Sequence, residues 1–293
     1  MSYSDLTVFA LHDGRGFGER VAHALGVPLS EMAETEFEDG EHQARPLESV
    51  RGKDVYVVQS LHGGVDRSGD DQLCRLFFFL ATLRDAGAGR VTAVLPYLRY
   101  ARHARRTEPR GPLTLRYVAA LFEATRIDRL VAIDVHDVAA FQNAFRIPTE
   151  HLEARPLLVE HFARVAATED VAVVSPDVGG TRRSEAFRRS LAAVLGRDVP
   201  TAFLVKRREK GAVHTGALVG EVAGRTAILL DDLVSTGSTL ARAAQVCLAN
   251  GARRVMAAAT HGVFVGNAAE SIASGALETL VITDTIPPFR LPA

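Results

Sequence analysis

The chain has 293 residues, 47% of them hydrophobic and 24% charged, which is the make-up of a globular protein with a full core and not of a disordered or fibrous one. Its 34 basic and 35 acidic residues leave a formal net charge of -1, so no overall basic field points to a nucleic-acid or anionic-membrane partner. This length favours two modest domains over one large one.

Met1-Ser2-Tyr3-Ser4-Asp5 lacks the basic-then-apolar pattern of a secretory signal, and no apolar run reaches the ~18 residues that would span a bilayer. The expected location is the cytoplasm. Short runs rich in Val, Ile and Ala then alternate with amphipathic stretches. Thr7 to Leu11 precedes a helix-like Gly18 to Gly26, and Asp54 to Gln59, Arg90 to Leu95 and Arg129 to Val135 follow. After an extended segment at Pro148 and a helix-like Arg155 to Val165, the rhythm returns. Its runs are Val171 to Ser175, Pro200 to Val205, Thr226 to Leu230, Arg254 to Ala259 and Thr279 to Thr283. Continuous apolar strands separated by helices predict parallel sheets covered on both faces, an α/β chain of two similar doubly wound domains, 1–148 and 149–293. Cys74 and Cys247 lie in apolar helix-like stretches without metal-type spacing, which predicts buried free thiols.

Ligands of such sheets bind beyond the carboxyl ends of the strands, so the polar residues after each apolar run are the candidates. The richest set follows Ala227-Ile228-Leu229-Leu230: Asp231-Asp232-Leu233-Val234-Ser235-Thr236-Gly237-Ser238-Thr239, then a helix-like Leu240 to Asn250. This reads as a buried strand, a tight polar turn and a helix N-terminus, where backbone N–H groups and the helix dipole favour a phosphate. Gly237 permits close backbone approach, and the hydroxyls of Ser235, Thr236, Ser238 and Thr239 add donors. Two carboxylates just upstream can accept hydrogen bonds from ribose hydroxyls. A sugar phosphate fits the whole pattern, although Ser/Thr capping alone would explain part of it.

Four further groups stand at strand ends or turns. His136, flanked by Asp134 and Asp137, is either a loop histidine or a ligand for a divalent ion. Asp177, followed by Gly179 and Gly180, either stabilises its turn or serves the same ion. Lys206-Arg207-Arg208-Glu209-Lys210 is either a solvated hairpin tip or a basic loop that closes over a transferring phosphoryl group. The cluster Arg99, Arg102, Arg105, Arg106 and Arg110 lacks the interleaved aromatics of a nucleic-acid surface. Asp13-Gly14-Arg15-Gly16-Phe17-Gly18 lacks the full glycine spacing of a dinucleotide fingerprint, and no Gly-X-X-X-X-Gly-Lys occurs, so ATP would not be held in a P-loop.

Asp231 to Thr239 resembles the 5-phosphoribosyl-binding signature of type I phosphoribosyltransferases. Nearly the whole chain resembles the ribose-phosphate diphosphokinase family, through several further segments. These are Phe37-Glu38-Asp39-Gly40-Glu41, Pro96 to Arg102, Asp134-Val135-His136, Val174 to Gly180, Lys206-Arg207-Arg208 and Thr260-His261-Gly262-Val263-Phe264. The resemblance implies two phosphoribosyltransferase-like domains, the first serving ATP and subunit contacts and the second ribose 5-phosphate. It implies diphosphoryl transfer from ATP to ribose 5-phosphate with magnesium, and it gives each group a role. Asp231 and Asp232 would hold the ribose hydroxyls, and Ser235, Thr236, Gly237, Ser238 and Thr239 the 5-phosphate. His136 and Asp177 would be metal ligands, Lys206 and Arg208 catalytic. Phe37, Asp39, Glu41, Arg102 and His103 would serve ATP, with the Phe37 loop reaching into a neighbouring subunit. The implied assembly is a homo-oligomer, a dimer as the minimal unit and a hexamer at the larger end, with no nucleic-acid or membrane partner. His103 and Ala104 stand where the family has glutamine and aspartate, and Ser235 where it usually has an acid. A phosphoribosyltransferase, or a silent regulatory relative of the synthases, are the competing expectations.

Overall fold

The computed structural model describes residues 6–209 and 212–292, with the side chains of 206–216 excepted. The chain divides into two compact units, Met1–Leu152 and Glu153–Ala293.

The first unit runs β1 (Leu6–Ala10), α1 (Arg15–Leu25), β2 (Met32–Glu36), β3 (His42–Pro46), β4 (Asp54–Val58), α2 (Gly69–Asp85), β5 (Arg90–Leu95), α3 (Thr114–Ala124), β6 (Arg129–Ile133), α4 (Val138–Ala144) and β7 (Thr149–Leu152). Five strands form a parallel sheet in the order β1-β4-β5-β6-β7, and β2 pairs with β3 as a separate antiparallel ribbon. Because β7 pairs with β6, residues 149–152 belong to this first sheet. Alternation along β1 explains the two covered faces: Phe9 enters the larger core with Phe79, Leu80 and Leu83 of α2, while Val8 and Ala10 join Ala22 of α1 on the other face. Each such buried Leu or Phe side chain contributes roughly 1.5–3 kcal/mol. A Cβ on Gly18 would lie 2.4 Å from Ala10 Cβ, so this glycine lets α1 lie close on β1. Gly14, where a Cβ would lie 2.7 Å from Val58 O, shares this packing role.

Helix α2 starts at a reciprocal capping box. Asp71 N donates to Ser68 Oγ at 3.1 Å, and Ser68 N donates to Asp71 Oδ2 at 2.9 Å. Its inward stripe is Leu73, Leu76, Phe79, Leu80 and Leu83. That phase turns Cys74 and Phe78 outward, one turn apart, so Cys74 is exposed and the expectation of a buried thiol fails there. Cys247 is buried, which pushes its thiol up to about 12.

The second unit runs α5 (Arg155–Ala166), β8 (Val171–Ser175), α6 (Thr181–Leu195), β9 (Thr201–Glu209), β10 (Ala212–Gly220), β11 (Thr226–Val234), α7 (Ser238–Ala249), β12 (Arg254–Gly262), α8 (Ala268–Ile272) and β13 (Thr279–Ile282). The sheet order is β10-β9-β8-β11-β12-β13, parallel except for the β9/β10 hairpin at the edge. Central β11 is buried on both faces. Ala227 and Leu229 pack with Leu240, Ala243 and Ala244 of α7, while Ile228 and Leu230 pack with Phe162 of α5 and Phe187 of α6. The predicted α/β class and parallel sheets flanked by helices are what the chain forms. Among the described residues no helix is long and apolar enough to cross a membrane.

Candidate active site

Strand β11 does not stop at Leu230. It continues to Val234 because β12 extends beside it, Asp231 opposite Ala259 and Leu233 opposite His261. The two aspartates therefore stand on the strand's last residues, and the turn is only Ser235, Thr236 and Gly237. Gly237 is the N-cap of α7 at φ 72°, a left-handed conformation that favours glycine. A Cβ there would meet Ile272 Cγ1 at 3.1 Å and Ser271 Cβ at 3.3 Å, so α8 walls the turn from outside. Among the described residues no side chain caps α7, which leaves its first-turn N–H groups to an incoming anion. Thr236 Oγ1 and Ser238 Oγ lie 3.0 Å apart in a hydrogen bond, and Thr239 is exposed on the first turn.

The turn is held from behind by the segment after β12. Val263 N and Phe264 N donate to Val234 O at 2.9 and 3.1 Å, and Val265 N donates to Ser235 O at 3.0 Å. Phe264 is buried at φ 48°, unusual for a bulky residue and a local cost of about 1–3 kcal/mol borne beside the cradle. Arg290 Nη1 ties the same segment down through Val263 O at 2.8 Å.

Asp232 is buried and Asp231 half-buried. Arg183, in the first turn of α6, places Nη1 3.4 Å from Oδ1 of each. Burial and the Asp232 carboxylate push the Asp231 carboxyl up to about 7 from its ordinary 3.8, against the pull of Arg183. A carboxyl raised on folding keeps a proton that the unfolded chain releases between those two values. The resulting stability is present at the acid end of the window and is lost as pH rises through about 7. Asp231→Asn is thus expected to raise the melting temperature of the ligand-free protein at pH 8 and to raise it much less at pH 5. Thermal unfolding at both values checks this, and equal shifts would contradict it.

Asp177 follows β8 and is half-buried. Its Oδ1 accepts from Gly180 N at 3.0 Å, and Ser175 Oγ donates to Asp177 O at 2.6 Å, so the residue does shape the turn into α6. His136 is exposed just beyond β6, in the first unit. Its neighbour Asp137 caps α4 by accepting from Ala140 N at 3.0 Å, and Asp134 sits at φ 40° with Oδ1 3.9 Å from His151 Nε2. Among the described residues no group of three or more His, Cys, Asp or Glu is arranged to hold a metal. Lys206 and Arg208 lie on β9, opposite Thr215 and Val213 of β10; their side chains, and residues 210–211 at the tip, fall outside the described residues.

Residues 37–41 connect β2 to β3. Gly40 N donates to Phe37 O at 3.0 Å, and Glu41 N donates to Asp39 Oδ1 at 3.0 Å, so the Asp39 carboxylate tightens the turn while Phe37 and Glu41 stay exposed. Arg102 and His103 are exposed in the loop after β5. Arg99 is engaged elsewhere, its Nε donating to Asp70 Oδ1 at 2.8 Å, and Tyr100, at φ 67°, donates its hydroxyl to the same oxygen.

Comparison with known proteins gives these features a setting. A family model for the N-terminal domain of ribose phosphate pyrophosphokinase matches residues 6–125, and one for the phosphoribosyl synthetase-associated domain matches 175–290. Ribose-phosphate pyrophosphokinase 1 of Streptococcus pyogenes is 38% identical over 290 residues, covering 98% of this chain and 87% of the relative, and that of Streptococcus mutans matches to the same extent. The crystal structure of phosphoribosylpyrophosphate synthetase from Mycobacterium smegmatis superposes with a TM-score of 0.87 at 34% identity, covering 97% of this chain and 90% of that one. The chain belongs to the ribose-phosphate pyrophosphokinase family.

For a ribose-phosphate pyrophosphokinase, the departures noted in the sequence have local settings. Ala104, where the family has an aspartate, packs half-buried against the core of the first unit. Ser235, at the usual acid position, is half-buried in the cradle turn, with its carbonyl used by Val265. Sequence reasoning missed Arg183. Its signal was available: Arg182 and Arg183 put two cations and no acid into the first turn of a helix, where the dipole disfavours positive charge. Only an acidic partner elsewhere in the fold makes that placement favourable.

Proposed function

We infer that this chain transfers the diphosphoryl group of ATP to O1 of ribose 5-phosphate, giving phosphoribosyl diphosphate and AMP. Family membership over nearly the full chain supports the reaction. The observation in this structure that carries the reading is the acid pair at the end of β11, one short turn before a helix N-terminus that no side chain caps among the described residues. Asp231 and Asp232 accept from the ribose hydroxyls, and the first-turn N–H groups of α7, with Ser235, Thr236, Gly237, Ser238 and Thr239, take the 5-phosphate. In this reading the second unit is the ribose 5-phosphate domain, and the first, with Arg102, His103 and the Phe37, Asp39 and Glu41 turn, is the ATP domain.

The reacting hydroxyl O1 forms a bond to the β-phosphorus as the bridging oxygen between α and β leaves with AMP, and the O1 proton passes to solvent. Lys206 and Arg208 stabilise the charge on the transferring oxygens, a task of positioning and neutralisation more than of covalent chemistry. In the second unit the Asp177 carboxylate, its Oδ1 already oriented by Gly180 N, suits magnesium, which accepts few protein ligands and keeps several waters; His136, in the first unit, is the second ligand that the family likeness implies. When bound, magnesium neutralises and orients the phosphate oxygens. The exposed Phe37 ring, 49% accessible in the turn between β2 and β3, supports the proposal that a second copy of the chain completes the ATP site.

Product analysis tests the reaction. Incubation with ATP, ribose 5-phosphate and magnesium should yield AMP in step with phosphoribosyl diphosphate. ADP as the only nucleotide product would contradict attack at the β-phosphorus.

A further inference from the structure

We propose that Arg183 is the positioning residue of the ribose site, holding the Asp231 and Asp232 carboxylates at a fixed separation and tying β11 to the first turn of the helix that follows Asp177. The proposal rests on the reading that these two acids hold the ribose hydroxyls. One guanidinium nitrogen reaches both carboxylates at the same 3.4 Å, from an element 48 residues away in sequence from Asp231. The side chain is only 26% exposed, so it is shielded more than a surface pair would be.

Its surroundings are built to hold it there. Gly180 starts α6, and a Cβ at that position would lie 2.8 Å from Ser175 Oγ, 3.8 Å from Asp177 Oδ1 and 3.9 Å from Arg183 Nη1. Only the Ser175 contact is too close for a Cβ, so glycine lets the end of β8 close against the start of α6, one turn before the guanidinium. In the strand register the partner of Asp231 on β12 is the uncharged Ala259. Two like carboxylates on adjacent strand residues repel. Without the cation they would part, or Asp231 would hold its proton to still higher pH, and the pair of acceptors presented to a vicinal diol would be weakened. Placing a cation in the first turn of a helix is unfavourable on its own, so the acid pair is what makes that position favourable.

The role differs from catalysis. Arg183 contacts the two acids and is given no contact with the reacting oxygen or phosphorus, so its loss should act on ribose 5-phosphate recognition. Steady-state kinetics of the full chain, Arg183→Gln and Arg183→Lys, with Asp232→Asn as reference, tests this. Loss of a hydrogen bond to a charged group predicts about a tenfold to hundredfold rise in KM for ribose 5-phosphate in Arg183→Gln, exceeding the change in KM for ATP and in kcat. Arg183→Lys keeps the charge without the planar fork, and should recover part of that loss. The acid limb of kcat/KM for ribose 5-phosphate should move to higher pH in Arg183→Gln and return toward the wild-type position in Arg183→Lys. If the glutamine variant does not fold, the lysine variant alone still shows the selective rise in ribose 5-phosphate KM. Unchanged KM in both Arg183 variants beside a raised value in Asp232→Asn would overturn the clamp alone. An unchanged KM in Asp232→Asn as well would overturn the ribose assignment of the acids, and the clamp with it.

Discussion

Lys206→Ala is expected to lower kcat by roughly 10²–10³-fold while leaving ribose 5-phosphate affinity almost unchanged. In diphosphoryl transfer the charge that must be stabilised spreads over oxygens of the moving group, and that charge is largest in the transition state. A cation that meets those oxygens only then contributes to kcat and little to ground-state binding of the sugar. Lys206 sits on an edge hairpin, away from the cradle strand by one intervening strand, β8, so its removal should not disturb the acid pair. Steady-state turnover together with calorimetric titration of ribose 5-phosphate separates the two effects. Unchanged turnover would remove Lys206 from the mechanism, and parallel loss of sugar binding would place it in recognition instead.

Gly237→Val is expected to reduce ribose 5-phosphate affinity by at least about 100-fold, the loss coming from shape and not from charge. A β-branched residue is strongly disfavoured at φ 72°. Its Cβ would also press on Ile272 and Ser271, so relief requires the turn to move away from α8. That movement takes the first-turn N–H groups of α7 out of convergence on the phosphate. Inorganic phosphate should lose affinity along with the sugar phosphate, because both use those donors, while unphosphorylated ribose should be affected less. Equal affinity of wild type and variant for ribose 5-phosphate would show that the turn does not make the contact.

Much of this was legible in order along the chain. Val171 to Ser175 and Arg90 to Leu95 coincide with β8 and β5, since a parallel strand buried on both faces leaves an uninterrupted apolar run. The cradle was legible because a strand end, a turn and a helix start are neighbours in sequence. The acid pair's place was not. Polar Asp231 and Asp232 read as the beginning of a turn, whereas pairing with β12, which reaches Gly262, carries the strand through them. Hairpin strand β10 was hidden for a similar reason, as its glycines at 216 and 220 look like loop, and pairing with β9 decides the matter. Cys74 was misplaced because α2 is apolar on more than one face, with Phe77 and Phe78 beside the buried Phe79. Arg183 joins partners 48 and 49 positions onward, and only the fold brings them together.

The reading of this site as a two-part grip, acids for the pentose and a helix start for its phosphoryl group, is tested most directly by comparing three ligands in one titration series. Calorimetry of the full chain with ribose 5-phosphate, ribose and inorganic phosphate measures whether the two halves cooperate. The account predicts that ribose 5-phosphate binds at least about 100-fold more tightly than either fragment, because the second contact becomes intramolecular once the first is made. Inorganic phosphate binding as tightly as ribose 5-phosphate would contradict it.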